Sequence, residues 1–198
     1  HKRIRLNAAA LAGLLIILFF LIIAVFAPVI APYDPKEMIA SYLPPSREHL
    51  LGTNDVGQDI FSEMVYGTRV SLYIGIFAAF IVTGVGTVLA LVSGYFGGVT
   101  DKIITAITNI AMAVPSLPLT VLLVAYLNPG KWSLIIAISV TAWTGTARIL
   151  RSRVMQLKEL PFIKIEKTMG VHPVVILFKH ILPNIKDIIL TRGAMAIS

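Results

Sequence analysis

Residues 70–100, VSLYIGIFAAFIVTGVGTVLALVSGYFGGVT, form an apolar stretch without a single Asp, Glu, Lys or Arg. Two further stretches, Leu6 to Tyr33 and Ile103 to Gly130, also lack these four residue types. Each stretch is longer than the roughly 20 apolar residues that a helix needs to cross a bilayer, and none alternates as the strands of a membrane barrel do. The sequence therefore predicts an all-α membrane protein, a polytopic helical bundle. A soluble bundle buried on all sides fits this hydropathy poorly.

The apolar stretches and the turn residues between them set the boundaries of the predicted spans. A fifth span is expected to start at 184, and the sequence ends inside it at 198, so we expect a truncated or incompletely represented chain. The apolar run after the basic residues 1–7 is longer than the core of a secretory signal, about 7 to 15 residues, so we interpret it as a retained span. The four complete spans are predicted over residues 8–31, 71–96, 103–127 and 132–150.

Basic residues predict the orientation of the chain. Residues 151–183 are rich in Lys and Arg, which are retained on the cytoplasmic side of membranes. We therefore expect 151–183 to be a cytoplasmic loop, residues 1–7 to be a cytoplasmic N-terminus, and 32–70 to be an external loop with a short helix. The net charge of +7 comes mostly from these inner flanks, so it does not indicate a partner nucleic acid.

Motifs for catalysis and cofactor binding are missing from the sequence. It contains no HExxH, no GxSxG and no GxxxxGK[ST] phosphate-binding loop, and it has no cysteine for a thiolate metal site. The charge-free stretches hold no ionisable residue that could serve as a proton relay, and their glycines are interpreted as helix-packing positions. We expect no enzyme activity, no cofactor and no metal. The four histidines are interpreted as surface or cap residues: His1, His49, His172 and His180.

The cytoplasmic loop carries the most informative local pattern. Pro161 and Pro173 suit the first turn of a helix, and Gly170 suits the end of one. This spacing predicts two short helices joined by a glycine turn, a rigid knob that a partner groove could receive. Periodicity alone leaves an amphipathic loop on the membrane surface equally acceptable.

The loop resembles the EAA loop of ABC importer permeases, in which Glu-Ala-Ala is followed by a glycine and then by a segment ending in Leu-Pro. Gly170 and the segment His180, Ile181, Leu182, Pro183 and Asn184 fit that pattern. The family's Glu-Ala-Ala falls on Lys164, Ile165 and Glu166, where this sequence has a reversed charge and bulkier side chains.

A second stretch is similar to the signature at the entry to the second span in C-type permeases of dipeptide, oligopeptide and nickel importers. The sequence LGTNDVGQD at 51–59 is followed by YGTRVSL at 66–72. Two motifs in the expected order are more specific than either alone. The residues that carry the similarity are Leu51, Gly52, Thr53, Gly57, Asp59, Tyr66, Gly67, Arg69 and Ser71.

The resemblance implies a permease subunit of about six spans in the plasma (inner) membrane, of which this chain holds about five. It further implies a second paralogous permease, two cytoplasmic ATPase subunits and an external solute-binding protein as partners, with alternating access coupled to ATP hydrolysis in the ATPases. The spans do not distinguish a peptide from a nickel chelate or an opine as the solute. The alternative from another class is a passive channel or an accessory membrane scaffold that works without ATPases.

Overall fold

The computed structural model describes residues 8–197; the predicted N-terminus 1–7 and Ser198 lie outside the described residues. Within 8–197 the chain is helical and has no β-strand, only an isolated bridge between Thr53 and Asp59. The all-α membrane fold expected from the sequence is confirmed. In chain order the elements are α1 (Ala8–Ile30), α2 (Ile60–Phe96), α3 (Gly98–Ala113), α4 (Ser116–Tyr126), α5 (Lys131–Lys158), α6 (Pro161–Thr168), α7 (Pro173–Ile176), a π-helical turn (Leu177–Ile181) and α8 (Leu182–Ile197).

Three of these helices, α1, α2 and α5, are long and apolar enough to cross a membrane, and α3 with α4 passes the same test as a bent pair. The described part of the chain therefore has three candidate spans, or four with the pair. Most of α1 is exposed, and Ala24 and Ala27 are its buried residues. Its large exposed side chains are leucine, isoleucine, valine and phenylalanine, a surface that suits contact with lipid.

The single helix predicted over 103–127 is two helices in the structure, α3 and α4, bent by 87° at their junction. The break falls at Val114 and Pro115, both in extended backbone conformations. A proline lacks the amide hydrogen that would continue the helix, and it pushes the preceding residue out of the helical region. Pro115 therefore explains why an uninterrupted apolar stretch does not form a straight helix here.

Two other predicted boundaries shift. Helix α2 begins at Ile60, so residues 60–70 are its first turns and not a separate short helix of the external loop. Helix α5 continues to Lys158, eight residues beyond the predicted limit of 150. Hydropathy predicts that a span ends where charged residues begin. The helix itself can continue beyond that point as long as its backbone hydrogen bonds continue and one of its faces stays buried.

The chain divides into two compact units within α2, between Tyr73 and Ile74. In the second unit, α2 and α5 approach closely through glycines. A Cβ added to Gly86 would lie 2.8 Å from Thr146, and one added to Gly94 would lie 2.8 Å from Val154. Small residues permit such close contact between apolar helices, in agreement with the packing interpretation of these two glycines; Gly84, by contrast, faces open space.

Candidate coupling corner and loop signature

The two short helices expected in the basic loop are present, and we call residues 160–176 the corner. Pro161 opens α6 and Pro173 opens α7, as predicted. Between them Gly170 has a φ of 78°. Its N–H donates to the Lys167 carbonyl at 3.2 Å, and the Val171 N–H donates to the Glu166 carbonyl at 3.0 Å. These paired bonds are those of a Schellman motif, in which a left-handed residue ends a helix.

The corner is anchored in the core of the second unit. Ile163 of α6 and Ile176 of α7 are buried, with 1% and 0% of their surface exposed. They belong to one apolar cluster with Leu150, Val154 and Leu157 of α5. Because these side chains pack against protein, the corner is a fixed part of the bundle.

The outer side of the corner remains apolar. Ile165 and Met169 are 59% and 76% exposed, and Phe162 and Val174 are also exposed. Large apolar side chains of this kind, gathered on a short rigid element outside the spans, are typical of a surface that binds another protein.

The residues that align with the family's Glu-Ala-Ala have different surroundings. Lys164 lies with its Nζ 2.8 Å from Oε2 of Glu159, and this lysine lowers the pKa of the Glu159 carboxyl below its ordinary value. Ile165 points outward. Glu166 faces inward, where its Oε1 lies 2.9 Å from Nε2 of His180. The lysine at the family's Glu position is therefore balanced by a carboxylate of its own chain.

The end of the loop pattern forms the start of the last helix. Ile181 is fully buried, Leu182 is partly buried and packs against the core, and Pro183 and Asn184 are exposed. The Asn184 amide donates to the His180 carbonyl at 2.6 Å. Helical structure runs without a break from Pro173 to Ile197, so the segment predicted to begin the fifth span at 184 is continuous with the corner.

The first half of the second signature folds the long loop, residues 31–59. Gly52 and Gly57 have φ values of 76° and 86°. A Cβ at Gly52 would lie closer to the Leu43 carbonyl oxygen than any real contact allows. Thr53 is buried; its hydroxyl donates to the Ala40 carbonyl at 2.5 Å and accepts from the Leu43 N–H at 2.9 Å. Leu51 is exposed.

Asp59 is the buried centre of this loop and caps α2. Its Oδ2 accepts from the backbone N–H and the hydroxyl of Ser62, both at 2.8 Å, and its Oδ1 lies 3.0 Å from Nδ1 of His49. Burial opposes ionisation, but the hydrogen bonds from Ser62 and His49 outweigh it and lower the pKa of Asp59. The interpretation of His49 as a surface or cap residue is wrong, because its side chain is 7% exposed and pairs with Asp59.

The second half of the signature lies along α2 and takes no part in this loop network. Gly67, Arg69 and Ser71 are at exposed positions, and Tyr66 is half-buried. The two halves therefore do different things. The first fixes the loop and the start of α2, and the second presents side chains on the surface of that helix.

Sequence reasoning missed a polar contact in the second unit. The Arg151 guanidinium donates two hydrogen bonds of 2.6 Å to the Asp101 carboxylate, and this ion pair joins α5 to the first turn of α3. A cavity of about 150 Å³ lined by Arg148 and Thr108 adjoins this pair. Arg192 lies inside the final apolar segment, where it is partly buried. No group of metal-ligating side chains occurs among residues 8–197.

Long apolar helices and a broken helix pair define a multi-pass membrane protein. The family model described as "binding-protein-dependent transport system inner membrane component" matches residues 86–198. A second model, the N-terminal transmembrane domain of oligopeptide transport permease C, matches residues 1–45. The chain belongs to the family of binding-protein-dependent transport system inner membrane components, and the resemblance seen in the sequence is confirmed.

Curated relatives agree with this assignment. The chain is 38% identical over 197 residues to the oligopeptide transport system permease protein OppC of Bacillus subtilis. The matched region covers 98% of this chain and 65% of that relative. It is 35% identical to the dipeptide transport system permease protein DppC of the same organism, over 99% of this chain and 62% of the relative. It is 34% identical to the glutathione transport system permease protein GsiD of Pectobacterium atrosepticum, over 100% of this chain and 66% of the relative. The chain thus spans slightly less than two thirds of the length of these relatives.

Proposed function

We propose that this chain is the transmembrane permease subunit of an ATP-driven, binding-protein-dependent importer for peptides or a related small solute. The names of the similar permeases, for oligopeptides, dipeptides and glutathione, support peptides over a nickel chelate. The observation that carries the proposal is the corner. It is anchored inside by Ile163 and Ile176 and presents Ile165 and Met169 outside.

In this function the corner binds to a cytoplasmic ATPase subunit. The exposed apolar side chains would fill a groove of the ATPase, and the buried ones would pass its displacement to α5. Because the corner is packed into the core, it has to move together with the helices that support it. ATP binding then re-packs the spans and changes the side on which the pathway opens. The residues of the EAA-like pattern, including Gly170 and Ile181, shape and anchor this coupling element.

The remaining partners follow from the same function. A second, paralogous permease would complete the pathway, and an external solute-binding protein would deliver solute on the side of the long loop. The chain would lie in the plasma (inner) membrane with its N-terminus and the corner in the cytoplasm. The hydrogen-bonded loop around Asp59 offers such a binding protein a firm surface, since Thr53 and Asn54 hydrogen-bond to residues 40–43.

Reconstitution of the full importer in proteoliposomes tests the proposal. Radiolabelled tri-alanine is supplied with the solute-binding protein, and uptake is measured with ATP, without ATP, and without the binding protein. We expect uptake only when both are present, together with copurification of an ATPase subunit that contains a phosphate-binding loop. Uptake that persists without ATP and without binding protein would instead indicate a passive channel.

A further inference from the structure

A small polar cavity lies beside the ion pair of Arg151 and Asp101, between α2, α3 and α5. Its volume is about 150 Å³, which is less than the roughly 300 Å³ of an ordinary small-molecule site. A cavity of this size suits one polar group of a larger molecule. The polar side chains that line it are Ser93, Thr105, Thr108, Asn109, Arg148 and Arg151.

Arg148 gives this cavity a positive charge that the chain does not neutralise. The charge of Arg151 is balanced by Asp101 through the two hydrogen bonds of 2.6 Å. Arg148 forms no ion pair with any carboxylate of residues 8–197. Its guanidinium contacts Sδ of Met112 at 3.8 Å, through Nη1. Because a thioether sulfur is only a weak acceptor, most of the donors of Arg148 remain available to a ligand.

The neutral side chains of the cavity divide into those that are already bonded and one that is not. The hydroxyl of Thr105 donates to Asp101, and that of Thr108 donates to the Ile104 carbonyl. Asn109 is exposed, and its amide forms no hydrogen bond with another group of residues 8–197. An acceptor group placed in the cavity would therefore meet two sets of available donors, the Arg148 guanidinium and the Asn109 amide.

The cavity lies near one end of the candidate span α5. Arg148 is roughly 25 Å along the helix from Lys131, at about 1.5 Å per residue. A hydrocarbon core is about 30 Å thick, so a helix that enters it at Lys131 brings Arg148 close to the opposite boundary. Arg151, Arg153 and Lys158 follow before α5 ends. Such a concentration of basic residues is typical of the cytoplasmic boundary of a span.

The phosphate of a phospholipid occupies this level of a membrane. It carries one negative charge, which matches the single unneutralised charge of Arg148, and a guanidinium can bind two of its oxygens at once. Basic pockets between helices on the cytoplasmic side bind anionic headgroups. Met112 is exposed and lies one turn of α3 beyond Thr108, further from Asp101. It offers an acyl chain an apolar contact on the side of the membrane interior.

We propose that this cavity binds the phosphate of an anionic phospholipid of the cytoplasmic leaflet, through Arg148 and Asn109. The assignment to that leaflet rests on the proposed function, in which the corner is cytoplasmic, whereas lipid binding itself does not require transport. The bound headgroup would lie between α3 and α5, next to the ion pair that already joins them. It would thereby add a second polar link between the broken helix pair and the helix whose Leu150 and Val154 anchor the corner.

Native mass spectrometry of the permease, purified in detergent with the subunits that accompany it, tests the proposal. The delipidated protein is titrated with phosphatidylglycerol and, separately, with phosphatidylcholine. We expect wild type to bind phosphatidylglycerol more tightly, because the choline cation of the other lipid is repelled by Arg148. Arg148→Gln should weaken the tightest binding of phosphatidylglycerol about fivefold or more, the ratio that corresponds to roughly 1 kcal/mol for one basic residue near an anionic lipid.

Two further variants and a control define the site. Arg148→Lys keeps the charge but loses the two-pronged geometry, so it should retain part of the affinity. Asn109→Ala removes a neutral donor and should weaken binding less than Arg148→Gln. Arg153→Gln is the matched control, because Arg153 is an exposed cation of the same helix that bonds to Gln156 and does not line the cavity. It should leave the affinity unchanged.

Four results would overturn the inference. Equal affinity for phosphatidylglycerol in wild type and Arg148→Gln would show that Arg148 does not hold the lipid. Equal binding of the two lipids would remove the selectivity for an anionic one. Displacement of the lipid by inorganic phosphate would indicate a site for soluble phosphates. Loss of a subunit from the Arg148→Gln protein would show that Arg148 pairs with another protein chain. Failure of ATP-driven tri-alanine uptake would refute the proposed function but not this inference, because lipid binding is measured without transport.

Discussion

Gly170 provides the sharpest test of the coupling role of the corner. Its φ of 78° lies in the left-handed region, and a Cβ there would meet no atom within 4 Å. The cost of a substitution therefore comes from the backbone alone. The left-handed conformation costs a non-glycine residue roughly 1–2 kcal/mol, and a β-branched residue tolerates it least. An energy of that size changes a conformational ratio by a factor of about 5 to 30.

Gly170→Val should consequently lower the ratio of corners in the native geometry to corners in other geometries by about that factor. The Schellman bonds of Gly170 and Val171 would open, whereas the buried Ile163 and Ile176 would hold the surrounding bundle together. We expect ATP-driven uptake and recovery of ATPase subunits to fall several-fold, with normal membrane insertion and thermal stability of the permease.

Gly170→Asn is the matched control, because asparagine occupies the left-handed region at helix ends more readily than other non-glycine residues. It adds a side chain at the same place but should keep most of the uptake. Wild-type uptake and ATPase recovery in Gly170→Val would refute the coupling role of the corner. Equal losses in the Val and Asn variants would refute the backbone explanation, since side-chain bulk would then be the cause.

Three further predictions follow from the corner and the long loop. Lys164→Glu should copurify with less ATPase subunit than Lys164→Gln, because only the glutamate variant places a second carboxylate beside that of Glu159. Equal recovery of the ATPase subunit with the two variants would show that the contact between positions 159 and 164 does not affect ATPase binding. A cysteine at position 164, in this cysteine-free chain, should be labelled by an impermeant thiol reagent only after the cells are opened, and labelling of intact cells would reverse the topology. The lowered pKa of Asp59 means that its ionised form stabilises the loop above the ordinary Asp value of about 3.9 and that this contribution is lost as the pH falls through the native pKa. Amide-exchange protection of Ser62 should therefore decline in acid in wild type and be low at all pH values in Asp59→Asn; a pH-independent wild type would contradict this.

The features predicted correctly from the sequence depend on local chemistry. The long apolar runs predicted the starts of α1 and α5 close to where they are observed. Pro161, Gly170 and Pro173 predicted the two helices and the turn of the corner, because each of these residues restricts or frees the backbone at its own position. The 87° bend between α3 and α4 was missed because apolar composition carries no information about helix direction. Pro115 was the residue in the sequence that indicated a break at this point. The pairing of His49 with Asp59 was missed because it depends on how the loop folds back. Its geometry is set by contacts between residues ten positions apart, which no periodic pattern records.

The last helical segment connects the corner directly to the bundle. From Pro173 to Ile197 the chain is helical throughout, with a π-helical turn at Leu177–Ile181. No flexible linker separates the corner from α8, which packs against α5. Displacement of the corner by an ATPase would therefore be passed to α8, and the π-helical turn, a feature frequent at functional sites, is the point at which the segment can bend. Movement of α8 against α5 would then re-pack the spans, so ATP hydrolysis could change the side on which the pathway opens without any proton carrier within the membrane.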